Sequence, residues 1–297
     1  MSGMWTWFLL VVGIAAVSTS GPLIAAMTVQ PLAIAFWRNG LGTLALAPTA
    51  LTGRRRELRA LPRRDLAVMA GAGLALAVHF ATWVTSLTLT SVASSTALVC
   101  LQLAWVVAWQ RSRGTRIDRL VLVGLVVAFG GALVVSGVDL TVSRRALTGD
   151  LLALVGGVGA AAYMVIGAHV RRAASTTAYT FVCYGSCAGL LLVACLVSGQ
   201  DLVGFPPRQW LLLVTVTITA QLLGHSVFNH LLAVTGPLVV SLALLLEVPG
   251  AALVAAVFLR QRPPAGVLLG LAVILSGMAL VVVGNRANAA RAAIEVA

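Results

Sequence analysis

The sequence predicts an all-α integral membrane protein of ten transmembrane helices, arranged as two inverted five-helix repeats. Three observations carry this. The chain is 60% hydrophobic and 9% charged, with a mean hydropathy of +1.02. Its 297 residues could not hide that much apolar surface in a water-soluble core. Ten apolar runs follow one another, bounded by Arg, Pro, Gly and Asp. Finally, the second half of the chain echoes the first at a fixed offset.

The runs cover residues 4–27, 31–51, 66–89, 91–110, 119–137, 149–169, 177–198, 209–232, 237–259 and 265–284. At about 1.5 Å per helical residue, each comes near the roughly 30 Å of a hydrocarbon core. The connectors are short and leave no room for an extramembrane domain. Met1-Ser2-Gly3 offers no basic segment of a cleavable signal, so the first run is expected to stay in place.

The formal charge of +12 does not point to nucleic acid. All twenty basic residues are Arg, and nearly all lie in connectors, as topology signals do. With the N-terminus inside, the inner connectors and tail hold fourteen Arg. The outer ones hold Arg144, Arg145, Arg208, Arg260 and Arg262, and Arg38 falls within a helix. Both termini are therefore expected on the cytoplasmic side. Arg without Lys, among abundant Ala, Val, Gly and Leu, fits a GC-rich bacterial genome and hence an inner membrane. Cys100, Cys183, Cys187 and Cys195 all sit in apolar runs and read as small packing residues. No spacing suggests a metal site or cofactor.

The echo aligns His79 with His225, Arg38 with Tyr184, Ser95 with Ser241, Gly124 with Gly270 and Gly131 with Gly277, without a gap. Gln102 falls on Val248, beside Glu247. Residues 1–140 form the first repeat, 146–286 the second and 287–297 a cytoplasmic tail. Five helices per repeat is an odd number, so the second repeat must be inverted in the membrane. Inverted repeats mark secondary transporters, whose site lies near the midplane between the halves.

Candidate site residues are polar side chains near helix centres. Glu247 stands out as an acidic residue in the middle of the run 237–259, where a carboxylate costs a few kcal/mol. It must be protonated, paired or face a wet cavity. Gln221, His225 and Asn229 form an i, i+4, i+8 stripe; His79 and Trp83 form an i, i+4 pair; Gln102 and Tyr163 complete the set. Trp105 and Trp109 read as interfacial anchors, as do His169 and His230. Ser18, Thr19 and Ser20 read as bonded to backbone carbonyls. Arg38 reads as a structural anchor that snorkels or caps carbonyls. The glycines of the fifth and tenth runs read as packing points. No phosphate loop, metalloprotease helix or nucleophile elbow is present.

Several stretches make the chain similar to the EamA type of the drug/metabolite transporter superfamily. They are Val240-Ser241-Leu242-Ala243-Leu244-Leu245-Leu246-Glu247-Val248-Pro249, Gly270-Leu271, Ser276-Gly277, Arg38, and Gly149-Asp150-Leu151-Leu152-Ala153. The resemblance covers nearly the whole chain. It implies a central cavity lined by helices 1, 3, 4, 6, 8 and 9, and relatives that export amino acids, metabolites or drugs, some of them importing. Two stretches depart from the pattern: Ser18-Thr19-Ser20 replaces Trp-Gly-Ser, and Gln110-Arg111 and Arg260-Gln261 replace Gly-Glu.

The sequence reading is thus an exporter of amino acids or related small metabolites working by alternating access, with a passive facilitator or importer of small metabolites or drugs as the alternative and an intramembrane enzyme disfavoured. The expected partners are a small solute, the bilayer and protons, and the expected state is a monomer or weak homodimer.

Overall fold

The computed structural model describes the backbone of residues 3–115 and 117–296, and the side chains of 4–115, 117–134, 143–281, 283 and 284. The regular structure of the described residues is all helical, without strands. Along the chain run α1 (Gly3–Ser18), α2 (Ser20–Ala25), α3 (Pro31–Pro48), α4 (Arg55–Ala60), α5 (Arg63–Ser86), α6 (Val92–Val99), α7 (Gln102–Ser112) and α8 (Arg119–Val142). They are followed by α9 (Arg144–Val170), α10 (Thr176–Ser198), α11 (Pro207–Val216), α12 (Ser226–Leu244), α13 (Glu247–Phe258) and α14 (Ala265–Val296). Residues Thr49–Gly53 and Thr217–His225 are π-helical.

Among the described residues, six helical stretches are long and apolar enough to cross a membrane: Met4–Ala25, Arg63–Ser86, Val92–Ser112, Arg144–Val170, Thr176–Ser198 and Pro207–Leu244. Shorter apolar helices cover Arg119–Val134, Glu247–Phe258 and Ala265–Val281. The stretch Pro207–Leu244 holds 38 residues, far more than about 30 Å of hydrocarbon needs. It is bent at Gly236, whose φ of 81° and ψ of 168° suit only glycine, and Pro237 follows directly. The expected boundary between the eighth and ninth runs falls on this bend.

Three apolar runs are interrupted within their spans. At Thr19, at Cys100–Leu101 and at Leu245–Leu246 the backbone switches to i→i−3 bonds. Examples are Thr19 N–H to Ala16, Leu101 N–H to Leu98, and Leu245 N–H to Leu242. A short 3₁₀ turn inside a helix weakens the ladder locally and often marks a hinge. One correction follows directly. Glu247 does not lie mid-helix; it opens α13, where the positive end of the helix dipole favours a carboxylate. A second concerns acidic residues in helices. Asp150, expected at a run's edge, is fully buried six residues into α9, because that helix begins earlier than its apolar run.

The packing is reciprocal between the halves. Helix α8 lies antiparallel along α14, so that Gly124 meets Gly277 while Gly131 meets Gly270. A Cβ on Gly131 would stand 2.8 Å from the Gly270 carbonyl oxygen and 2.7 Å from the Ile274 nitrogen. Small residues here let the two backbones touch. Gly124 matches Gly270 in the echo and Gly131 matches Gly277, so each contact is the other's counterpart. That is how a surface packs against its own equivalent about a two-fold axis. Helices α5 and α9 form another close pair, and α1 packs on the π-helical stretch.

Candidate functional site

The cavity lies where the interrupted helices meet. It holds about 40 Å³ and is lined by Ser20, His79, Trp83, Gln102, Tyr163, His225 and Glu247, with Val17, Cys100, Met164 and other apolar side chains between them. That is room for a few waters at roughly 10–15 Å³ each. Small-molecule pockets run to about 300–1,000 Å³, so this conformation is closed around its centre.

Six of the eight residues singled out from the sequence line this cavity: Glu247, His225, His79, Trp83, Gln102 and Tyr163. They come from α5, α7, α9, the π-helical stretch and α13. Glycine makes the approach possible on the α5 side. A Cβ on Gly159 of α9 would stand 2.8 Å from the His79 nitrogen, so any larger residue would drive α9 from α5. The neighbouring Gly156 carbonyl lies 3.0 Å from His79 Nδ1. A carbonyl only accepts, so Nδ1 is a nitrogen that carries a proton here.

The two echoed histidines face each other, with ring centroids 6.4 Å apart. His79 stacks on Trp83 at 5.7 Å with planes 7° apart, while Tyr163 closes on His225 at 6.2 Å. The Trp83 Nε1 donor is buried without a hydrogen-bond partner among the described residues. The carboxyl of Glu247, opening its half-helix, accepts no hydrogen bond from a described residue. The cavity therefore offers one carboxyl group, two imidazoles and an unused indole donor on aromatic walls. Such a set can hold an organic amine or exchange a proton.

Gln221 and Asn229 do not line the cavity, although the stripe with His225 predicts it. The stripe assumes α-helical spacing, whereas Thr217–His225 bonds i→i+5. The wider turn swings Gln221 away from the His225 face. Gln221 Oε1 accepts from Arg38 Nε at 2.9 Å, and its Nε2 donates to Asn39 Oδ1 at 3.0 Å. Asn229 accepts from the Tyr163 hydroxyl at 2.6 Å and donates to the Tyr184 hydroxyl at 3.2 Å. Both are supports behind the cavity.

Arg38 departs furthest from expectation. It neither snorkels nor caps carbonyls but is fully buried on α3. Besides Gln221 it donates to Ser20 Oγ at 3.1 Å, and its guanidinium lies 4.1 Å from the Phe80 ring centroid. Among the described residues it forms no ion pair, and its Nη2 has no partner. Ser20 carries this charge's influence to the cavity wall, whereas Ser18 and Thr19 do bond the carbonyls of Ile14 and Ala16 as expected. Trp105 and Trp109 are surface-exposed, and so is His169. His230 is half-buried beside Thr176.

A bundle of membrane-crossing helices, interrupted around a buried polar cavity between reciprocal halves, has the build of a solute transporter. The sequence model of the EamA-like transporter family matches residues 2–137 and again residues 147–283. The chain belongs to this family, whose members are membrane transporters of small molecules. No curated protein matches it. A solved structure described only as a crystal structure of a protein is similar, with a TM-score of 0.70 and 17% identity over 96% of this chain and 99% of the other. That likeness is one of fold.

Proposed function

We propose that this chain is a bacterial inner-membrane secondary transporter that exports amino acids or related small metabolites by alternating access. Ten transmembrane helices form two inverted repeats, residues 1–140 and 146–286, with both termini and the tail 287–297 cytoplasmic. It works without a cofactor or catalytic step, as a monomer or weak homodimer. The carrying observation is the Glu247 carboxyl at the start of a half-helix, facing a small cavity ringed by His79, His225, Trp83, Gln102 and Tyr163. Glu247 holds the solute's amine or a proton in turn, and His225 is its neighbour in that exchange. Gln221 and Asn229 keep the walls in register. Rocking of the repeats about the 3₁₀ turns opens the cavity to one side and then the other.

Purified protein in proteoliposomes, with an amino-acid panel as solutes and the lumenal and external pH varied, tests this. For Glu247→Gln we expect transport to fall by about tenfold or more and to lose its pH dependence, since the amide can carry neither charge nor proton. An unchanged rate and profile would remove Glu247 from the mechanism. A passive facilitator remains the second reading, favoured by the closeness of the His79–His225 pair, which needs no ion to bind a polar solute. A pH gradient that fails to drive uphill accumulation in the wild type selects it.

A further inference from the structure

The connector between α3 and α5 carries more positive charge than a topology signal requires. Arg54, Arg55, Arg56, Arg59, Arg63 and Arg64 fall within eleven consecutive positions and are all exposed. The acidic residue among them, Glu57, is already engaged. It pairs with Arg54 at 3.8 Å and accepts the Ser175 N–H at 2.6 Å. The remaining arginines form no ion pair among the described residues.

Beside this cluster a groove of about 360 Å³ runs between the start of α5 and the end of α9. Arg64, Asp65 and His169 are its polar side chains, and Val68, Met69 and Val170 give it an apolar wall. Both helices belong to apolar stretches fit to cross a membrane, and a groove between the start of one and the end of the other would open where a bilayer's headgroups meet its hydrocarbon. Basic groups with an apolar wall at that depth suit an anionic amphiphile. Each Arg near such a surface contributes about 1 kcal/mol toward anionic lipid. Asp65 opposes this with one charge, against five free arginines.

We propose that the groove and the α4 arginines bind an anionic phospholipid, its phosphate against Arg63, Arg64 and His169 and the start of its acyl chain along Val68 and Val170. The same groove touches the α9–α10 connector at Ala173 and Ala174. Arg171 of that connector donates to the Ala174 carbonyl and, at 3.1 Å, to the Asn229 carbonyl. Asn229 in turn holds Tyr163 of the cavity wall. A lipid seated there braces the connector in the closed arrangement, whatever solute the cavity carries.

The test is thermal unfolding of the full chain in detergent, titrated with phosphatidylglycerol, phosphatidylcholine or inorganic phosphate. Phosphatidylglycerol should raise the midpoint by a few degrees and saturate, as binding to the folded state does. Phosphatidylcholine and free phosphate should not. The triple variant Arg63→Gln, Arg64→Gln, His169→Gln should lose the shift, and Arg64→Gln alone should weaken it in case the triple variant does not fold. Arg111→Gln with Arg113→Gln removes charge elsewhere and should keep the shift. Equal loss in that control would reduce the effect to general surface charge, and an equal response to free phosphate would replace the lipid by an inorganic anion. No response to phosphatidylglycerol in the wild type would overturn the proposal, and none of these outcomes bears on Glu247 or the transported solute.

Discussion

At Arg38 two costs compete, and their sizes decide what a substitution should do. A buried cation without a carboxylate loses several kcal/mol of solvation, against which stand two hydrogen bonds and the Phe80 stack. Removing the charge leaves Gln221 Oε1 without its donor, at a cost of about 1–3 kcal/mol. The solvation term is the larger, so Arg38→Met should keep or raise the thermal midpoint. Transport should nevertheless fall at least about tenfold, because the Ser20 wall of the cavity loses its charged support; this magnitude assumes that one lost kcal-scale contact in the working site costs about a factor of ten. A sharp drop in the midpoint, with transport of the surviving protein intact, would make Arg38 purely structural. The sequence could show Arg38 inside a helix but not what it meets. Its partners Ser20 and Gln221 lie in different runs, and only the folded packing of α2, α3 and the π-helical stretch brings them together.

Between elements, the glycine contacts give a matched pair of expectations. Gly131→Ile should separate α8 from α14 and lower stability by roughly 1–3 kcal/mol, as overpacking does. Gly130→Ile, one position along with nothing within 4 Å, should change little. Thermal unfolding of the two variants side by side checks this, and equal effects would mean that the crossing is not where the helices bind. At the bend, Gly236→Ala should cost about 1–3 kcal/mol, since φ of 81° with ψ of 168° is open essentially to glycine alone. A midpoint unchanged by that substitution would show the bend to be relaxed in solution.

Element boundaries also show how far a sequence can be read. The Gly236-Pro237 bend and the glycine crossing are written in residue types with few alternatives. The turns at Cys100–Leu101 and Leu245–Leu246 are not, because Leu and Cys suit an α-helix as well as a 3₁₀ turn. The π-helical stretch is equally silent. One widened turn changes which face Gln221 takes without changing any residue. Hence apolar context and depth pick out six residues that line the cavity, while the packing of Gln221 and Asn229 behind it depends on a widened turn that no residue type announces.

For the molecule as a whole, a cavity of about 40 Å³ sets a requirement. That is far below the roughly 300–1,000 Å³ of small-molecule pockets, so binding of the proposed amino-acid solute would require it to enlarge. A thiol introduced as Ser20→Cys, with Cys100 of the same wall changed to Ala and the buried Cys183, Cys187 and Cys195 left as the background to subtract, should be slow to react with a membrane-impermeant thiol reagent at rest. During turnover it should react from either side of oriented vesicles, at rates several times higher, as expected if opening is a minor population drawn on by the solute. Labelling from one side only would contradict alternating access. Insertion in the bilayer and the two-repeat family match were both foreshadowed by composition and by the echo of His79 in His225. The depth of closure was not, because the volume left between helices depends on how closely they pack, which no residue type records.

The meeting of His79 with His225 has a consequence for directionality. In the proposed alternating-access cycle, residues that face their own counterparts would exchange places as the repeats swap shapes, so a solute resting on them would feel the same floor whichever side is open. They act as an even-handed platform. In that cycle any bias would come from positions whose counterparts differ in kind, which is most of the wall: Glu247 against Leu101, Gln102 against Val248, Tyr163 against Val17 and Trp83 against Asn229. Among the polar cavity residues the even-handed part is thus confined to the histidine pair, and the walls around it would be free to favour one direction.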